Sequence, residues 1–504
     1  MFMESIDLYR CVVFAVSVSV LYLSNTVYKG GWNWISVLLK ITGYSVLASL
    51  ALHQQLSSLQ LVLLVTTTTL GSLISLFSQH YSYSKYNSKS LALVTDLLLA
   101  TTAMTFASRY LLELVLFWLT TEVVGFMAIA YDALVGVNSD AMRASLRYLV
   151  FSMIPTDLAL FILIALTGLE KSLSESLVAL NLDLTAPLIT AILVLGFMAK
   201  AAIAPLHFWL PDAHSLAPSP VSAVLSGIMI KIGVYGILLV ANYAVNTSIA
   251  YSILLLFGSL TAIYGGVQAV YQKDLKRLLA YSSVSHMGAI AMLTALYLKN
   301  PGSLFYYAII AYIVAHAVYK ASLFMDTGVI ELLSGEKNIE KLGYVYRVLP
   351  VESFAVTLAI LSIFGLPPTT GFLAKLWAFS SVLHEISASY VYVYVLIVLS
   401  VETALTVVYS ARYLQAHIKP GVPVGAGASK STYTHSTSMC TLLSSLTSLT
   451  LTLPVLLIQS GEVKAHSDIL VLYFTSLPVL LVVLASTYMI IREVRERAEH
   501  GDEK

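Results

Sequence analysis

Apolar runs of about 17 to 25 residues recur along the whole 504-residue chain, each long enough to cross a hydrocarbon core of roughly 30 Å as a helix. This sets the fold class as an all-α polytopic membrane protein of about 14–15 transmembrane helices. Fifteen candidate spans start near residues 11, 33, 58, 90, 110, 145, 186, 221, 248, 280, 303, 350, 389, 440 and 468. Composition agrees: 58% of the residues are hydrophobic, 11% are charged and the mean hydropathy is +0.83, so lipid must be the solvent for most of the chain. The first span follows Glu4, Asp7 and Arg10 rather than a basic leader, so no removable signal peptide is expected. Cys11 and Cys440 sit in or beside apolar spans without metal-ligand spacing and carry no redox reading.

Sorting the 28 Lys and Arg residues over the connections between spans gives a topology. Odd-numbered connections and the C-terminal tail hold eighteen, among them Lys85, Lys89, Arg143, Arg147, Lys273, Lys276, Arg277, Lys337 and Lys341; even-numbered connections hold only Arg109, Lys171, Lys299 and Lys464. The expected orientation in the cell membrane is therefore N-terminus outside and C-terminus cytoplasmic, with Arg10 near the outer end of the first span.

Five lysines remain, Lys40, Lys200, Lys231, Lys320 and Lys375, all within apolar spans. A lysine at the bilayer centre costs about 2.5 to 3.5 kcal/mol on insertion scales, so such residues need partners, water or a function. Lys40 is expected to snorkel to the interface. Asp96, Glu113, Glu122, Asp157, Asp326 and Glu402 lie within spans as well. Glu113 and Glu122 are nine residues apart, which at about 100° per residue places them on opposite helix faces; Glu122, the deeper, is the expected functional carboxylate. His316 and Lys320 are four residues apart and share a face, which suits a proton relay between an imidazole and an ammonium.

Two apolar runs are interrupted. "GFMAKAAIAPLHFWLPDAHSLAPSPVSAVLSGIMIKIGVYG", residues 196–236, is broken by prolines after Lys200, and "SIFGLPPTTGFLAKLWAF", residues 362–379, by Gly and Pro before Lys375. Irregular backbone at that depth must be buried in protein or line water. Paired broken helices point to a transport site in a protein built from repeats. The expected organisation is N-terminal helices over 1–89, two inverted five-helix repeats over 90–243 and 244–414, a Gly/Ser/Thr-rich linker over 415–439, and C-terminal helices with a charged tail over 440–504. His207 and His214 in "HFWLPDAH" are not expected to form a metal site, because Pro211 breaks the register and no third ligand is evident.

"KAAIAPLHFWLPDAHSLAPSPVSAVLSGIMIKIGVYG", "VYQKDLKRLLAYSSVSHMG", "HAVYKASLF" and "GLPPTTGFLAK" together resemble the antiporter-like subunits of respiratory complex I. The same family includes the large subunits of multisubunit cation/proton antiporters and of membrane-bound hydrogenase-type complexes. The resemblance covers roughly residues 60–415. It implies that each repeat builds a half-channel and that buried charges at mid-membrane join the two. By the resemblance Glu122 matches the glutamate of the fifth helix, Lys200 the lysine of the broken seventh, Lys231 the bridging lysine of the eighth, His316 the histidine of the eleventh and Lys375 the basic residue of the broken twelfth. Lysine at both 231 and 375 places the chain nearest the complex I subunits with that pairing, or the shorter large subunit of the cation/proton antiporters with its hydrogenase-complex relatives. An extra apolar segment near 468–491 departs from the family's core of fourteen helices, and a long lateral helix of the kind the most distal complex I subunit carries is not expected.

The expected function is translocation of protons, or of Na⁺ against protons, by Glu122, Lys200, Lys231, His316, Lys320 and Lys375. Burial disfavours the Lys200 ammonium while an ionised Glu122 favours it, so moving one against the other switches proton retention without a cofactor. The chain has no dinucleotide fingerprint, Walker loop, cysteine cluster or haem motif, so no cofactor and no metal are expected in it. Redox chemistry would belong to partners: sibling antiporter-like subunits and a peripheral redox module, in the lipid bilayer and with no nucleic acid. Two alternatives stay open, a stand-alone transporter of an organic solute and a purely structural membrane subunit.

Overall fold

The computed structural model describes residues 8–28, 33–52, 56–180, 184–301, 304–343, 345, 349–367, 369–418, 441–443 and 445–447. Residues 415–418 continue the Tyr390–Ile418 helix; the rest of the expected linker, the span near 468 and nearly all of the span near 440 lie outside the described residues. The described chain is all-α, with eleven helices long and apolar enough to cross a membrane: Tyr9–Val27, Trp34–Ala51, Ser58–Tyr86, Ser90–Ala107, Leu111–Ile129, Asp140–Thr167, Ser219–Tyr243, Ser248–Tyr271, Leu275–Lys299, Phe305–Ser334 and Tyr390–Ile418. Two further spans are split, Pro187–Lys200 with Trp209–Leu216, and Pro350–Phe364 with Thr370–His384.

The ends of these helices follow local chemistry. Ser57 and Gln60 form a capping box at the start of Ser58–Tyr86. Asp274 accepts from the Arg277 amide (2.8 Å), so the Leu275–Lys299 helix starts with a polar turn ahead of the apolar run that marks it in the sequence. Ser248–Tyr271 and Leu275–Lys299 then run backbone to backbone, because a Cβ on Gly265 would meet the Ser285 amide at 2.4 Å and one on Gly288 the Ala262 amide at 2.3 Å.

The helices differ in what surrounds them. Ser219–Tyr243 and Phe305–Ser334 are enclosed by protein along their apolar length, and Ser58–Tyr86 and Leu275–Lys299 nearly so. Tyr9–Val27, Asp140–Thr167 and Tyr390–Ile418 instead turn side chains such as Val16, Leu158, Phe161 and Ile397 outward, the side lipid covers. The enclosed helices carry Lys231, His286, His316 and Lys320.

Both interruptions free backbone groups at depth, and both find partners. After Lys200 the chain passes through Ala202 in the left-handed region (φ 54°); the Ala199 carbonyl accepts from Trp209 Nε1 (3.0 Å) and the Ala204 amide donates to Thr261 Oγ1 (2.9 Å). After Phe364 the chain turns at Gly365 (φ 78°) and restarts at Thr370, where the Thr369 hydroxyl accepts from the Phe372 amide. Wide π-helical turns at Leu149–Met153 and Leu225–Met229 interrupt the Asp140–Thr167 and Ser219–Tyr243 helices.

Candidate functional site

Glu122 projects from Leu111–Ile129 toward Lys200, the last residue of its helical segment, and Lys200 Nζ lies 2.9 Å from Glu122 Oε1 with both side chains fully buried. A cation at a helix C-terminus also meets the negative end of the helix dipole. Lys200 donates to Tyr148 OH (2.7 Å), placed by the turn just ahead of the π-helical segment, and Trp118 Nε1 donates to Glu122 Oε1 (3.2 Å). Asp157 lies within electrostatic range of both partners. Glu113 does point elsewhere: it pairs with Arg10 and accepts from the Arg109 amide (2.9 Å) near the start of the helix, as its opposite face requires.

Lys231 follows the second π-helical turn and donates to the Ser226 carbonyl within it. Its Nζ also lies 2.6 Å from His316 Nδ1. The sequence expectation for His316 and Lys320 is corrected here. The ammonium beside His316 is Lys231, whereas Lys320 donates to Ser282 and to the Leu279 carbonyl (3.1 Å). Residues four apart share a broad helix face, yet two facing helices divide it between them.

Beyond His316 stands a residue the sequence reading did not assign, His286, its ring edge-on to that of His316 at 5.4 Å between centroids. Tyr319 OH lies 3.1 Å from His286 Nδ1, and on the other side of the ring Nε2 meets Tyr409 OH (3.1 Å) and Glu402 Oε1 (3.3 Å). Glu402, noted in the sequence only as a buried acid, closes the series toward Lys375 and lies within electrostatic range of it. Lys375 is half-buried after the second break and reaches back to the Phe364 carbonyl (3.4 Å) at the end of the preceding segment. A lone histidine inside an apolar run was the available signal for His286, and the quoted "SSVSHMG" contains it.

Two other clusters stand apart from this series. Glu331 takes three ammonium groups, Lys85 (2.9 Å), Lys276 (2.9 Å) and Lys337 (3.4 Å), and so ties the Ser58–Tyr86 helix to the second half. Lys40 does not snorkel: its side chain is fully buried and ion-paired with Asp96. The turn of its helix is open to several directions in sequence, and only the facing Asp96 decides between them.

The comparisons with known proteins agree with this architecture. The chain is 33% identical over 270 residues to NADH-quinone oxidoreductase subunit N of Pelobacter propionicus, covering 52% of this chain and 56% of that protein. It is 31% identical over 340 residues to a Na⁺/H⁺ antiporter subunit of Alkalihalophilus pseudofirmus, covering 64% and 42% respectively. The chain thus spans less than two thirds of the length of either relative. Its fold superposes on a chain of the Mrp complex from Dietzia sp. DQ12-45-1b with a TM-score of 0.73 and 21% identity, over 97% of this chain and 56% of that one. The family model described as NADH:quinone oxidoreductase/Mrp antiporter, TM, matches residues 111–406, more than half the chain and every member of the Glu122-to-Glu402 series, and the chain belongs to that family.

Proposed function

We propose that the chain moves protons across the cell membrane as one subunit of a larger complex, with Glu122, Lys200, Lys231, His316, Lys320 and Lys375 as translocation residues and His286 and Glu402 completing the second half. The observation that carries this reading is the 2.6 Å contact of Lys231 with His316, which joins a lysine of residues 90–243 to a histidine of residues 244–414. Those two stretches are the proposed inverted five-helix half-channels; each holds one broken helix with a lysine at its break, which supports the pairing. A proton leaving Lys200 passes to Lys231 over water, then by His316 and His286 to Glu402 and Lys375.

Each charge moved against the membrane potential costs about 2.3 kcal/mol per 100 mV, so the chain needs an outside energy source. The relatives are named as subunits, and the superposed structure is a complex, which supports sibling membrane subunits as partners; a peripheral redox module is the proposed driver. The basic residues of the odd connections support an N-terminus outside and a C-terminus in the cytoplasm.

The test is Lys375→Ala in the complete complex, with assembly and translocation measured on the same membranes. The expected result is normal assembly and lost translocation. Loss of assembly in step with activity returns the chain to a structural role, and selective uptake of an organic solute by the isolated chain makes it a stand-alone transporter.

A further inference from the structure

The Lys40–Asp96 pair belongs to the N-terminal helices and takes no part in the series above. Lys40 stands six residues into the Trp34–Ala48 helix and Asp96 six into Ser90–Ala107, so both lie only about 9 Å from the face where those helices begin. A lysine at that depth reaches the interface easily, yet this one is turned inward.

The pair sits in a cluster of polar side chains. Asp96 Oδ2 accepts from Lys40 and from Asn25 Nδ2 (2.6 Å), and Oδ1 from Tyr44 OH (3.2 Å) and Ser75 Oγ. Behind them Gln79 bonds Asn25 Oδ1 (3.1 Å) through Nε2 and accepts from Ser36 through Oε1 (2.7 Å), continuing the polar file toward the nearby face. Lys40, by contrast, has Asp96 as its one hydrogen-bond partner among the described residues, although an ammonium has three donors. Hydroxyl and carboxylate oxygens are hard ligands for alkali and alkaline-earth ions. A single carboxylate among neutral oxygens balances a charge of +1, not +2, and no group of three or more His, Cys, Asp or Glu disposed to hold a metal is found among the described residues.

We infer that Asp96, with Ser75, Tyr44 and the Asn25 amide oxygen turned inward, binds a dehydrated monovalent cation the size of Na⁺ in exchange for the proton of Lys40. The exchange balances: Na⁺ replaces the ammonium beside the carboxylate, Lys40 becomes a neutral amine, one proton leaves for solvent, and the net charge of the buried site is unchanged. Of the titratable groups on the helices packed around it, Asp96 pairs with Lys40 and accepts from Tyr44, while His80 is bonded to Tyr28 and Arg10 to Glu113. The site goes beyond the translocation reading and stands without it.

The test is Na⁺ binding to the purified complex in lightly buffered detergent, read by radiolabelled ²²Na⁺ together with a pH indicator. One proton should be released per Na⁺ bound, and the apparent Kd should rise about tenfold for each pH unit of acidification, the slope of one-for-one competition. Lys40→Arg, whose guanidinium keeps its charge, should bind no Na⁺ and release no proton, and the charge-neutral Lys40→Met/Asp96→Asn should bind none while keeping the thermal stability of the complex. The Glu122→Gln variant should still release the proton. Na⁺ binding without proton release in the unmodified protein, binding that survives in the double variant, loss of the released proton in Glu122→Gln, or no binding at all each overturns the proposal.

Discussion

Glu122→Gln separates charge from shape at the Glu122–Lys200 pair. The glutamine keeps the volume of the glutamate and an oxygen able to accept from Trp118 Nε1, so what it removes is the negative charge 2.9 Å from Lys200 Nζ. At an effective dielectric of about 20, that attraction is worth about 6 kcal/mol. If relaxation and the nearby Asp157 recover two thirds of it, the remaining 2 kcal/mol or so still changes the balance between charged and neutral Lys200 roughly thirtyfold. Proton movement per turnover, measured in membranes holding equal amounts of assembled complex, should fall to a small fraction of normal. Adding Asp157→Asn should deepen the loss, since it removes a second carboxylate within range of both partners. Glu113→Gln weakens a contact with Arg10 at the end of the helix and should leave translocation near normal. Abolished translocation in Glu113→Gln with intact translocation in Glu122→Gln would refute both the assignment and the electrostatic reasoning.

Gly365→Ala should displace Lys375, because the residue sits at φ 78° and an added Cβ would lie 2.7 Å from Lys375 Cδ. The left-handed conformation alone costs a non-glycine residue about 1–2 kcal/mol, so lower thermal stability in detergent and lower translocation should appear together, and unchanged values of both would contradict the role given to this turn. Lys273→Cys, introduced in a background without Cys11 and Cys440, should resist an impermeant thiol reagent added outside intact cells and react in inverted vesicles. Lys273 is two-thirds exposed, so reaction from outside would reverse the proposed orientation rather than report a buried site.

Much of the fold was legible in the chain because helix, apolar run and membrane thickness share one length scale. The expected starts at 58, 90, 248 and 350 coincide with helix starts or their first residues. Those near 145 and 280 fall about a turn late, because polar turns starting at Asp140 and at Leu275, the latter capped by Asp274, precede the apolar residues that mark a span. The breaks at Lys200 and before Lys375 were legible for a related reason: proline and glycine act on the backbone locally and leave a signature in the sequence itself.

Which charges meet was not legible in the same way. Periodicity separated Glu113 from Glu122 correctly, since that question concerns one helix. It paired His316 with Lys320 because it carries no information about a neighbour, and the structure gave His316 to Lys231 and Lys320 to Ser282. The same lack left Lys40 to the interface when Asp96 was facing it, and left His286 without a role until Tyr319, Tyr409 and Glu402 closed around it. The sequence determined by itself that the chain spans a membrane, where its helices lie and which residues are costly there, because insertion into lipid depends on each segment's own composition. Only the tertiary structure decided which helices are enclosed and which buried charges compensate one another, because Coulombic and hydrogen-bond partners act over a few ångströms between segments tens to hundreds of residues apart.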